Sequence, residues 1–156
     1  MKRILIAPLL LALLKGCVAE KPKDSAMVVV TTNILGDVTQ KLLAGTDSIA
    51  VEVLMGPGVD PHLYKASQGD VENLSRADLI VYNGLHLEGK MNELFAKLRR
   101  RNTWAAAEVL DSSRLINATD YPDAYDPHVW FDPLLWMEVV EGLSKKLQTT
   151  FPDHAD

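Results

Sequence analysis

MVVVTTNILGDVTQKLLAGTDSIAVEVL, residues 27–54, decides the fold. Met27 to Thr31 is an unbroken, largely β-branched run, the look of a strand buried on both faces. Ile34, Leu35, Val38, Leu42 and Leu43 then recur at helical spacing, and Gly45 supplies the stop. From Ser48 to Leu54 the apolar residues Ile49, Val51 and Val53 alternate, which predicts a second strand. Strand, helix and strand within 28 residues make a βαβ unit, whose two strands run parallel with a right-handed crossover.

The pattern repeats downstream. Ser67-Gln-Gly-Asp70 reads as a capping box with Asp in place of Glu, opening a helix through Val71, Leu74 and Ala77. Asp78 to Tyr82 predicts a third buried strand, ended by Asn83-Gly84. Met91, Leu94, Phe95 and Leu98 form the apolar stripe of the next helix, and Thr103 to Ala107 predicts a fourth strand. Residues 111–126 are polar and aperiodic. Asp132 and Pro133 then cap and start a helix over Leu134 to Leu147. The expected fold is α/β, a parallel sheet of about four strands with helices on both faces. In such sheets ligands bind beyond the carboxyl ends of the strands.

Two loops stand out against this frame. Asp60-Pro61-His62 follows the second strand, and Asp126-Pro127-His128 closes the long polar stretch. Proline fixes its own φ and pushes the preceding residue toward extended backbone, so each histidine rides on a loop of restricted direction. Neutral imidazole suits zinc and other divalent first-row ions, which nominates His62 and His128 as metal ligands. Asp60, Asp126 and Asp132 are candidate partners to orient the rings. His86 falls after the third strand and is a candidate rim residue. His154 lies in the tail and is not counted as a ligand. Trp130, Phe131 and Trp136 are expected to pack in the core beside the site. Asn117-Ala118-Thr119 matches a glycosylation sequon that carries no weight beside a bacterial-type leader.

That leader is Met1 to Gly16, with Lys2 and Arg3 before an apolar run from Ile4 to Leu14 too short to span a bilayer comfortably. Leu14-Lys15-Gly16-Cys17 resembles a lipobox, making Cys17 the lipid-attachment residue. Lys15 departs from that pattern, and cleavage after Ala19 is the alternative. Residues 17–26 then read as a lipid-anchored tether and residues 27–150 as the folded lobe. Cys17 is the only cysteine, so a domain beyond it forms no disulfide and offers no thiolate to a metal. Loss of residues 1–16 removes three positive charges and no negative one, moving the formal charge from −5 to −8. An acidic domain without a basic stripe is a poor partner for nucleic acid. Lys97, Arg99, Arg100 and Arg101 cluster at a predicted helix end, where cations favour the dipole.

MVVVTTN at 27–33, GPGVDPHLY at 56–64, ADLIVYNGLHLE at 77–88 and DPHVWFD at 126–132 together resemble the solute-binding lipoproteins of zinc and manganese ABC importers. The four motifs stand in the family's order, and the resemblance covers essentially the whole chain from about Met27. The resemblance implies two α/β lobes joined by a long helix, with a metal gripped between them. It assigns His62 and His128 to the amino-terminal lobe. A Glu or His and an Asp come from a carboxyl-terminal lobe, and residues 151–156 would begin the interlobe helix of a truncated or split protein. The implied setting is extracytoplasmic, periplasm or cell surface, with an ABC permease as partner and Mn2+ or Zn2+ as cargo. Members selective for zinc often carry a His-rich loop, and residues 108–126 hold no histidine, which leans toward manganese or toward members that take both.

Three functions compete at this stage. The first is a metal-binding receptor that hands its ion to a permease, with no enzymatic activity. The second is a metallohydrolase using the same histidines around an open water position, for which no motif nominates a base. The third is a surface lipoprotein acting as an adhesin, or a non-functional remnant.

Overall fold

The computed structural model describes residues 25–98, 102–119, 121 and 123–154. The expected signal peptide, Cys17, nearly all of the tether and the three arginines of the Lys97–Arg101 cluster lie outside them. Four strands form one sheet: β1 (Ala26–Thr32), β2 (Ile49–Met55), β3 (Leu79–Tyr82) and β4 (Thr103–Ala105). The order across the sheet is β2-β1-β3-β4 and every pairing is parallel, with Val28 opposite Val51 and Leu79, and Val81 opposite Trp104.

The unbroken β-branched run becomes a central strand. Val28, Val29, Val30 and Thr31 are all fully buried, because β1 has a strand on either side and helices above and below. Each such valine removes enough apolar surface from water to contribute about 1.5–3 kcal/mol. Val28 and Val30 face one core with Leu35, Val139 and Leu143; Val29 faces the other with Leu74, Met91 and Phe95. The helices therefore divide between the faces: α1 (Asn33–Leu42) and α4 (Pro133–Thr150) on the first, α2 (Gln68–Arg76) and α3 (Asn92–Leu98) on the second.

Local chemistry sets the element ends. Thr32 caps α1 by accepting from Leu35 N, and the chain leaves the helix through Gly45 at φ +89°, a conformation glycine adopts without strain. The Ser67–Asp70 box forms in both directions. Asp132 accepts from the amides of Leu134 and Leu135, and Pro133 opens α4. Leu135, Val139, Leu143 and Leu147 then make its buried stripe.

β4 departs from the expectation of a strand to Ala107. It pairs only through Ala105, and Ala106–Val109 wind into a 3-10 turn. Alanine is a weak strand former, while Ala106 and Ala107 are small enough to be fully buried beneath α4. The polar stretch before His128 has structure of its own. An antiparallel bridge joins Asn117 to Tyr125, with Ala118 N donating to Ala124 O at 2.8 Å and Asp126 N to Ile116 O at 2.8 Å. This arm carries Asp126 back to the sheet edge. Among the described residues no helix is long and apolar enough to cross a membrane.

Candidate metal centre

Because all four strands run parallel, the loops after β2, β3 and the arm after β4 gather at one edge. His62 arrives from the β2 loop and His128 from the arm. Their Nε2 atoms stand 3.3 Å apart. Two nitrogens bound to one tetrahedral zinc at about 2.0–2.1 Å lie roughly 3.3–3.4 Å apart, so one ion fits between them. The rings are tilted by 57° with centroids 5.3 Å apart, so they meet through their Nε2 atoms and do not stack face to face.

The repeated tripeptide is also a repeated structure. Asp60 Oδ1 accepts from His62 N at 2.9 Å, and Asp126 Oδ1 accepts from His128 N at 3.0 Å. Each aspartate closes the same short turn over its proline and presents the following ring. The two then differ. Asp126 Oδ1 also lies 2.6 Å from His128 Nδ1. A carboxylate there accepts a hydrogen bond from Nδ1–H and so keeps the proton on Nδ1, which leaves Nε2 with its lone pair free for a metal. The backbone hydrogen bond from His128, with the ring beside it, holds the Asp126 carboxyl below the usual carboxylate range, so it is ionised at neutral pH. Asp60 bonds the backbone amide of its histidine and Asp132 bonds the amides of α4. Of the three nominated aspartates, Asp126 is the one hydrogen-bonded to a ring.

Tyr64 anchors the His62 loop. Its hydroxyl donates to Asp70 Oδ2 at 2.7 Å and reaches Leu54 O at 3.3 Å, folding the loop back onto the end of β2. Burial first, and the neighbouring carboxylate second, push the phenol up to about 12. Burial alone would raise Asp70, but hydrogen bonds from Tyr64 and Ser67 outweigh it and hold the carboxyl low.

His86 stays apart from the pair. It hydrogen-bonds Asn92 through Nδ1 at 3.3 Å and lines, with His62, Tyr121 and Pro127, an open cleft of about 690 Å³. Among the described residues no third His, Cys, Asp or Glu joins His62 and His128 in a cluster that could hold a metal. His154 lies in a 3-10 turn after α4. Phe131 departs from the expectation of core packing. Val129–Phe131 wind as a single 3-10 turn, so Val129 points inward at 4% exposure while Phe131 is 78% exposed. Trp130 and Trp136 are half-buried, and Trp130 lies edge-on to the His128 ring with centroids 5.2 Å apart.

Sequence reasoning missed two residues behind the pair. Glu88 is 1% exposed, its carboxylate taken up by Thr31 Oγ1 (2.7 Å), Asn83 N (2.7 Å) and Gly84 N (3.2 Å). Burial, against those three hydrogen bonds, pushes its carboxyl above the usual range. Asn83, also 1% exposed, donates from Nδ2 to Pro127 O at 3.0 Å. The available signal was an acidic residue set among Leu85, Leu87 and Met91, a spacing that places a charge inside a core.

Comparison with known proteins bears on the family and the fold. Residues 28–156 match the family described as zinc-uptake complex component A, periplasmic. The manganese-binding lipoprotein MntA of Bacillus subtilis is 40% identical over 163 residues, which takes in 100% of this chain and 52% of the relative. The zinc-binding protein TroA of Treponema pallidum is 42% identical over 97% of this chain and 50% of its own length. The solved structure of periplasmic TroA superposes with a TM-score of 0.78, over 84% of this chain and 46% of that one. A manganese-bound periplasmic metal-binding protein from Candidatus Liberibacter asiaticus gives 0.72 at 29% identity, over 84% and 48%. This chain spans about half the length of the curated relatives it matches.

Proposed function

The chain belongs to the zinc-uptake complex component A family, and from that premise we propose that it is the amino-terminal, metal-gripping lobe of an extracytoplasmic ABC-importer receptor. Its cargo is a divalent ion, Mn2+ or Zn2+, and its partner is the importer's permease. His62 and His128 supply two imidazole donors, and Asp126 sets the tautomer of the second. The observation that carries this reading is the 3.3 Å separation of the two Nε2 atoms, the spacing of two ligands on one ion.

Two donors leave about half of a tetrahedral shell to water. The reading therefore places the remaining donors on a second lobe, closing over Leu63 and Phe131, which are 67% and 78% exposed beside the pair. Cys17 would hold the protein at the membrane by its lipid. The role is binding without turnover, in keeping with relatives named as metal-binding proteins, and the Asp126 carboxylate is hydrogen-bonded to the His128 ring.

Calorimetric titration of the metal-stripped chain with Zn2+ and Mn2+ tests the reading. One ion per chain is expected, with binding lost in a His62→Ala/His128→Ala double variant. Unchanged binding in that variant would overturn the site.

A further inference from the structure

We propose that Asn83, held by the buried carboxylate of Glu88, is a positioning residue that sets where His128 presents its ring to the metal. The inference rests on the proposed metal role of His128 and adds to it a residue that never touches the ion.

Asn83 is the first residue beyond β3, and its main chain is tied on both sides. Its N–H donates to Glu88 Oε1 at 2.7 Å, and its carbonyl accepts from Ala107 N at 2.8 Å. The side chain thus leaves from a fixed point. Its Nδ2 donates to Gly84 O at 3.2 Å and to Pro127 O at 3.0 Å. Two carbonyl partners settle the amide's orientation, since a flipped group would set oxygen against oxygen.

That orientation has a cost. Asn83 Oδ1 is buried and meets no donor among the described residues, and an unpaired buried acceptor is unfavourable. An apolar side chain of similar size would fill the same space without it. The amide therefore has its use in the donor it extends to Pro127.

The target of that donor is specific. Pro127 C=O and His128 N–H belong to one planar peptide unit. Asn83 holds its oxygen, and Asp126 Oδ1 holds its nitrogen at 3.0 Å. With both ends of the plane fixed and the ring Nδ1 bound to Asp126, the position of Nε2 follows. Glu88 supports the arrangement from behind, tying Asn83 N and Gly84 N to Thr31 at the end of β1. It also braces the turn that follows, where Gly84, Leu85 and His86 run at φ 83°, 49° and 65°, a left-handed path costly for the two non-glycine residues.

The test compares the unaltered chain with Asn83→Leu and the isosteric Asn83→Asp, normalising to the folded fraction from circular dichroism. Zn2+ affinity by chelator competition should fall about 10–100-fold, the range for losing a group that orients a ligand. The visible spectrum of bound Co2+ should change with it, and the metal-free His128 ring should lose its single NMR environment. A merely structural role would lower melting temperature and leave affinity, Co2+ spectrum and ring resonances of the folded fraction untouched, which would overturn the proposal. If the unaltered chain binds no metal, the metal reading fails by itself. The ring resonances then decide the positioning claim: a His128 environment unchanged by Asn83→Leu overturns it, and a dispersed one upholds it.

Discussion

At the residue scale, two aspartates in the same tripeptide do different work, and this separates their variants. Asp126→Asn removes the carboxylate that orients His128 and should lower metal affinity about 10–100-fold. Asp60→Asn keeps an acceptor for the His62 amide and should change affinity by less than tenfold; the same competition titration reads both. Tyr64 gives a pH dependence. Its folded-state value is raised from 10.0 to about 12, so the protonated phenol contributes stability that is present below pH 10 and lost as pH rises toward 12. Thermal melts should show a fall in that window, and Tyr64→Phe should flatten the part due to this residue. At this scale the sequence was only partly legible. A proline beside a histidine announces a directed loop, which made both tripeptides visible. Glu88 gives only its place among Leu85, Leu87 and Met91 as a local sign of burial, and Asn83 gives none, since its burial depends on β1 and β4 lying beside β3.

At the element scale, caps and stripes were written plainly. Ser67 and Asp132 cap the helices that their neighbours predict, because each works within three residues of chain. The departures came where apolar residues were expected to continue a strand or the core and a 3-10 turn took their place. Ala106 and Ala107 left the strand to fit beneath α4, and Phe131 turned outward because Val129 took the inward place in its 3-10 turn. Two substitutions, one in α4 and one at its cap, should part stability from binding. Leu143→Ala empties a fully buried site and should cost about 2–5 kcal/mol in urea denaturation. Asp132→Ala removes the cap and should cost about 0.5–2 kcal/mol. Neither residue bonds a histidine ring, so the folded fraction of each variant should bind zinc as the unaltered chain does.

At the scale of the whole molecule, the sheet order explains why a shared site could not be read from spacing. His62 follows β2 and His128 follows β4, and these strands are the two edges of the sheet. Only the assembled topology brings their loops together. Metal binding should raise the melting temperature in proportion to the logarithm of free ion. The gain is about 2.7 kcal/mol at a hundred times the dissociation constant and reverses with chelator. Scanning calorimetry with and without Zn2+ measures it.

A cation between those nitrogens would close a ring of chain. The two donors lie 66 positions apart in sequence and belong to opposite margins of the sheet, so one ion would work as a removable cross-link. A disulfide persists when the chain unfolds; this link would dissolve with the fold and re-form with it. Its grip would therefore depend on the free ion outside the protein. In metal-poor surroundings the two margins could fray independently, and in metal-rich ones they would have to open together.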